Sequence, residues 1–249
     1  MRSKFEFLLI FLLVIIFCSG VVLALYPFIY GAVVDWEISS NAADFLLQSA
    51  ETIPSEPLIQ IGGDKMEETV QEEKYPELLE QMRAYNARIF AQGQAGLSCE
   101  YDYQVPSFRL ADYGLDSEIF GVITIPAMDL EMPIFLGATN QHMADGAAHM
   151  SQTSLPIGGI NTNCVIAGHR GYSGASYFRY VEKLKVGDIV SITNLWETLQ
   201  YRVSSIKIID PHEVEDILIQ EGRDMVTLLT CHPYASGGRQ RYLVYCDRI

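Results

Sequence analysis

Basic charge is scarce in this chain: 17 Lys and Arg stand against 31 Asp and Glu, a formal net charge of −14. Phosphate backbones are gripped by clustered Lys and Arg, so a nucleic-acid partner is excluded. Metal-ligand and phosphate-cradle spacings are missing too. There is no Cys-x-x-Cys pair, no acidic calcium loop and no phosphate-binding glycine motif, and no cofactor or metal is expected. Between Phe5 and Val34 charge nearly vanishes, Glu6 being the only acidic residue. That run exceeds the roughly 20 apolar residues needed to cross a bilayer core. It also exceeds the apolar region of about 7 to 15 residues in a cleaved signal peptide, so an uncleaved anchor is expected. Arg2 and Lys4 precede it and Asp35 and Glu37 follow it. The positive-inside tendency then places the N-terminus in the cytoplasm and the remainder outside, at the cell membrane.

With 249 residues, 49% of them hydrophobic, the chain can build one good core plus an appendage. Residues 1–34 read as cytoplasmic tip and anchor. Residues 35–74 are acidic and broken by Pro54, Pro57 and Gly62-Gly63, which reads as a stalk with one short helix near Asn41 to Gln48. Residues 75–115 hold a helix and a loop. Pro76 suits a first helical turn, Leu78, Met82, Tyr85 and Ile89 recur on one helical face, and Gly93 or Gly96 ends it. Leu97 to Leu115 has no period. From 116 to 249 the pattern turns to short β-prone runs: Phe120–Ile125, Met132–Leu136, Cys164–Ala167, Asp188–Thr193, Leu199–Ile209, Met225–Thr230 and Tyr242–Cys246. Seven or eight such strands with few helices between them describe a mainly β barrel or sandwich. Ser173 to Lys185 is the expected helix within it, with Tyr177, Phe178, Val181 and Leu184 on one side, and Glu213 to Ile219 adds a turn or two.

Candidate chemistry gathers at strand ends. Cys231 closes the run Met225 to Thr230, and His169 follows Cys164 to Ala167 in Gly168-His169-Arg170-Gly171. A thiol nucleophile needs a nearby proton carrier and a group that steadies an oxyanion. Cys231, His169 and an arginine could supply these functions. His232 is the rival imidazole, but adjacent residues on a strand face opposite ways. His142, His149 and His212 read as solvent-exposed. Of Arg239, Arg241 and Arg248, Arg241 is favoured because it starts a strand whose odd positions share a face with Leu243, Tyr245 and Asp247. Cys164 and Cys246 lie in apolar strands and read as buried free thiols.

The segments Thr227-Leu228-Leu229-Thr230-Cys231, Ala167-Gly168-His169-Arg170-Gly171 and Arg241-Tyr242-Leu243-Val244-Tyr245 together resemble the sortases, over about Tyr75 to Ile249. The pilus-assembling class C is the most similar group, on Pro106-Ser107-Phe108, Asp112-Tyr113-Gly114-Leu115, Gly146-Ala147-Ala148-His149, Ser154-Leu155-Pro156-Ile157-Gly158-Gly159 and Thr230-Cys231-His232-Pro233-Tyr234. The resemblance implies an eight-stranded β-barrel with an N-terminal helical and lid appendage and one transmembrane helix. It implies Cys231 as nucleophile, His169 as general acid and base, and Arg241 as oxyanion or substrate stabiliser. It further implies cleavage of an LPXTG-like sorting signal of a pilin or surface protein and transfer of the acyl fragment to an amine, a pilin lysine in class C or a cell-wall peptide in housekeeping enzymes. A non-catalytic, membrane-tethered binding barrel is the alternative from another class.

Two departures from class C stand out. Where its lid carries Asp-Pro-aromatic, this chain has Cys99-Glu100-Tyr101. Tyr101 could serve as plug, and Cys99 either pairs reversibly with Cys231 or is a free loop thiol. Many class C chains also carry a second apolar span after the barrel, whereas this one ends at Ile249, so a single N-terminal anchor is expected and a housekeeping or class D-like role stays open.

Overall fold

The computed structural model describes residues 2–51, 74–97 and 104–249. Eight strands form a closed barrel in the order β1-β2-β3-β4-β7-β8-β6-β5. They are β1 (Ile119–Ile125), β2 (Leu130–Leu136), β3 (Ala147–His149), β4 (Thr162–Ala167), β5 (Ile189–Thr193), β6 (Thr198–Ile209), β7 (Asp224–His232) and β8 (Gln240–Arg248). Seven occupy the expected runs. β3, three residues long, is too short to carry an alternation, and its partners reveal it: it pairs parallel with β2 and antiparallel with β4.

Period-two alternation sorts side chains between two cores. Ile166, Val226, Leu228, Tyr242, Val244 and Cys246 fill the barrel interior. Val165, Ala167, Met225, Leu243 and Tyr245 face outward from the same strands and are covered by Leu97, Met150, Ile209 and Ile217. The covering segment between β6 and β7 is pinned from below. Asn163 Nδ2 donates to the carbonyls of Ile217 at 3.0 Å and Leu218 at 3.3 Å, and its Oδ1 accepts from Thr227 Oγ1 at 2.8 Å. Tyr245 adds a bond from its hydroxyl to the Asp216 carbonyl at 3.0 Å.

Helix α2 (Pro76–Ala91) starts at its proline and buries Leu78, Met82, Tyr85 and Ile89, as their spacing predicts. With Phe120, Leu136, Leu155 and Ile157 it forms a third cluster. Ser173 to Lys185 is not the expected α-helix; only Val181–Lys183 makes a single 3-10 turn. Tyr177, Phe178, Val181 and Leu184 are nevertheless all buried. Left-handed backbone at Ser173, Gly174 and Tyr177 breaks any helix here, so the apolar spacing registers burial without helicity. The short helix α3 (Asn140–Asp145) is capped by Thr139, whose side chain accepts from the His142 N–H.

The apolar run is helical, and helix α1 continues well beyond it, from Arg2 to Ala50. At 1.5 Å per residue it is about 70 Å long, more than twice a bilayer core of about 30 Å. Its most apolar window has mean hydropathy 3.2 and is wholly exposed, long and apolar enough to cross a membrane. The segment expected to begin a stalk is instead the helix's last turns, where Ile38, Ala42 and Ser49 are buried on a face of alternating three- and four-residue spacing that also includes Phe45.

His149 corrects another expectation, being fully buried in β3. Burial lowers its pKa to about 4, opposed by hydrogen bonding to Thr153 and Ser154. The unfolded chain takes up this proton near pH 6.5, whereas the folded chain resists it until about 4. Stability from this group is therefore complete above about pH 6.5 and lost as pH falls toward 4, roughly 3 kcal/mol in all. Thermal melting between pH 7 and 4 should show this loss, and His149→Gln should flatten it; an unchanged slope in the variant would refute the assignment.

Candidate active site

Three ladders converge at one barrel edge. Parallel pairing of β4 with β7 sets Ala167 opposite Leu229. His169 and Cys231 each lie two residues beyond that pair, so they share its outward face at the same edge. Antiparallel pairing of β7 with β8 sets Cys231 directly opposite Arg241, and Arg241 falls on the outward set with Leu243 and Tyr245. The three side chains line one cavity of about 300 Å³, with Leu229, Thr230, Gly168 and Ala167 at its floor and Gln104, Met143, Pro211, Glu213, Val214 and Ile217 at its walls.

The edge is held by short-range bonds. Gly168 N–H donates to the Leu229 carbonyl at 3.1 Å, and Thr230 Oγ1 donates to the Gly168 carbonyl at 2.7 Å. These tie the His169 loop to the cysteine strand. Arg241 Nη1 donates to the Gly238 carbonyl at 2.7 Å and the Gln240 carbonyl at 3.3 Å, so the loop from β7 to β8 aims the guanidinium. Gly238 has φ +78, and a Cβ there would lie 3.2 Å from both Arg241 Nη1 and Cys231 Sγ. Only glycine lets that loop pass so close to the thiol.

The His169 imidazole stacks on Tyr172 (centroids 4.6 Å apart) and meets Tyr177 edge-on at 5.6 Å. Burial pulls its pKa below the usual imidazole value, favouring the neutral ring that can accept a thiol proton. Cys231 is half-buried and free, while Cys164 and Cys246 are buried and free. Desolvation pushes both of those thiols up, so they stay protonated and unreactive. His232 faces away, toward Tyr242 and Glu182. Arg239 is exposed and Arg248 lies over the Tyr201 ring at the far end of β8. The expected exposure of His142 also fails, since its Nδ1 bonds the Gly137 carbonyl at 2.7 Å inside a nearly closed site. Cys99, Glu100 and Tyr101 lie outside the described residues. Just after them, Gln104 lines the cavity and Val105 accepts a hydrogen bond from Ser151.

Arg170 is a site residue that sequence reasoning passed over. It is buried, its Nη1 donates to the Cys231 carbonyl at 3.3 Å and its Nη2 pairs with Glu182 at 2.8 Å. The guanidinium also sits 5.5 Å from the Tyr242 ring centroid. It therefore braces the cysteine from behind the sheet. The available signal was its place beside His169, on the opposite face by alternation.

A closed barrel with a thiol, an imidazole and a guanidinium sharing one outer cleft defines a thiol-nucleophile enzyme of the β-barrel type. Residues 123–249 match the Sortase domain family, and the chain belongs to the sortases, a family of cysteine transpeptidases. Among solved structures, the sortase C1 of pilus island 1 from group B Streptococcus is 34% identical, with a TM-score of 0.64 over 70% of this chain and 88% of that one. Sortase C-1 from Streptococcus pneumoniae is 30% identical, with a TM-score of 0.60 over 84% of this chain and 98% of that one. Both neighbours are class C sortases. Sortase D from Bacillus subtilis is 27% identical over 131 residues, 52% of this chain, and the match spans 63% of that protein.

Proposed function

We propose that this chain is a membrane-anchored transpeptidase of the class C type, joining a sorting-signal protein to an amine. The observation that carries this reading is the shared cavity of Cys231, His169 and Arg241. His169 takes the Cys231 proton as sulfur attacks the carbonyl carbon of the signal's threonine, and Arg241 donates to the oxygen as it gains charge. The Thr–Gly amide bond then breaks, the imidazolium gives its proton to the leaving glycine nitrogen, and a thioester on Cys231 remains. An incoming amine attacks that thioester, loses a proton to His169 and releases the thiolate. The apolar wall of Val214, Ile217 and Leu229 suits the aliphatic side chain of an LPXTG-like peptide and limits water at the thioester, so a bound amine wins over hydrolysis.

In this reading residues 1–34 anchor the chain with its N-terminus in the cytoplasm and residues 116–249 act outside. The amine is a pilin lysine, a choice supported by the pilus-island neighbour. Incubating the full chain with a quenched LPXTG peptide and either a pilin lysine peptide or a cell-wall stem peptide tests this. Mass spectrometry should find a thioester on Cys231 and an isopeptide product with the lysine peptide. Product with the stem peptide alone would assign a housekeeping role, and no adduct with any peptide would favour a binding barrel.

A further inference from the structure

We infer that helix α1, besides carrying the apolar span, positions the His169 imidazole through a latch between Asp35 and Ser176. This rests on His169 acting as the acid and base. The latch is bidentate: Asp35 Oδ1 accepts the Ser176 backbone N–H at 2.7 Å and Oδ2 accepts its hydroxyl at 3.1 Å. Beside it the two backbones meet through glycine. A Cβ on Gly31 would fall 2.4 Å from the Gly174 carbonyl carbon, and one on Gly174 would fall 2.3 Å from the Pro27 carbonyl oxygen. Nothing larger fits between helix and loop.

The latched residue sits in the loop that holds the imidazole. Phe178 N–H donates back to the His169 carbonyl at 2.9 Å, closing the loop. Tyr172 and Tyr177 provide its two walls around the ring. Ala175, fully buried, bridges to Tyr172, and Ser176 lies directly between Ala175 and Tyr177. Tyr177 holds left-handed backbone at φ 41, a conformation that bulky residues adopt only when neighbours enforce it. One enforcing bond is its hydroxyl to the Ala144 carbonyl at 2.6 Å, and the other is the latch on Ser176. Among the described residues, the titratable groups around His169 are Tyr172 and Tyr177 from its own loop and Cys231, Arg241 and Glu213 across the cavity. Asp35 is the first charged residue after the apolar run, so one carboxylate couples the membrane boundary to the proton carrier.

The test uses the full chain in lipid nanodiscs with ring-labelled histidine, the His169 resonance being assigned through His169→Gln. In Asp35→Ala the His169 titration midpoint should rise toward the ordinary value of about 6.5 as water reaches the ring. Peptide turnover should fall about 10- to 100-fold in kcat, as expected for a displaced catalytic group, with KM within about twofold because the peptide wall is built elsewhere. Asp35→Asn keeps an acceptor for the N–H and a donor for the hydroxyl oxygen, and should restore both readouts. Ser176→Ala keeps one bond and should fall between. Gly31→Leu, which drives a side chain into Gly174, should repeat the Asp35→Ala titration shift. An unchanged His169 titration in Asp35→Ala overturns the latch, even if melting temperature or turnover drops. If Cys231→Ala kept full turnover, the transpeptidase reading would fail and the titration alone would judge the latch.

Discussion

Cys231→Ala should lower turnover of a sorting-signal peptide by about 10⁴-fold or more, the scale seen when a covalent nucleophile is removed, and should abolish the acyl-enzyme adduct. The methyl group that replaces the thiol cannot attack a carbonyl, and among the described residues no other thiol lines the cavity. Cys164 and Cys246 are buried among barrel side chains with their thiols held protonated. The fold should be unaffected. Cys231 is half-buried on the outer face at a strand end, so losing its sulfur opens no core cavity, and the melting temperature should stay within a few degrees. Intact-protein mass spectrometry after mixing with peptide checks the adduct, and a continuous fluorescence assay checks the rate. A variant that still cleaved the Thr–Gly bond at the native rate would remove this cysteine from the mechanism.

Arg241→Lys is expected to reduce kcat by about 10²- to 10³-fold, the cost of losing an oxyanion donor, with KM little changed. Lysine keeps the charge but loses the planar fork. Arg241 Nη1 is spent on the Gly238 and Gln240 carbonyls, a clamp that fixes the plane of the group and leaves Nε and Nη2 outside it. A single ammonium cannot both hold that clamp and reach a developing oxyanion across the strand pair. Steady-state kinetics on a series of peptides separates the possibilities: a loss confined to kcat marks transition-state stabilisation, whereas a rise in KM alone would assign Arg241 to peptide binding and contradict the oxyanion role.

Much of this geometry is legible in the amino-acid sequence. Alternation along Arg241 to Asp247 correctly separated Leu243 and Tyr245 from Tyr242, Val244 and Cys246, and the barrel turns the first set outward and the second inward. The same rule turned His232 away from the cleft. Apolar spacing found α2 because Leu78, Met82, Tyr85 and Ile89 all reach one core. It misled at Ser173 to Lys185, where four residues with helical spacing are buried by a looped backbone, and it missed the docking face of α1 because acidic neighbours masked Ile38, Ala42 and Phe45. Arg170 escaped because an arginine in a histidine turn reads as a surface group; only its burial against the Cys231 carbonyl and Glu182 shows what it does.

Local order along the chain was sufficient to mark seven of the eight strands, to separate the two faces of β8, and to mark an apolar run long enough to cross a membrane, since these follow from side-chain polarity and backbone period alone. Which strands become neighbours was decided by barrel closure, which places β4 and β8 on either side of β7 although long stretches of sequence separate β4 from the other two. That long-range pairing brings His169, Cys231 and Arg241 to one rim, and the packing of α1 against the barrel lays Asp35 against Ser176. Such contacts depend on how whole surfaces pack together, a property that no short window of residues contains.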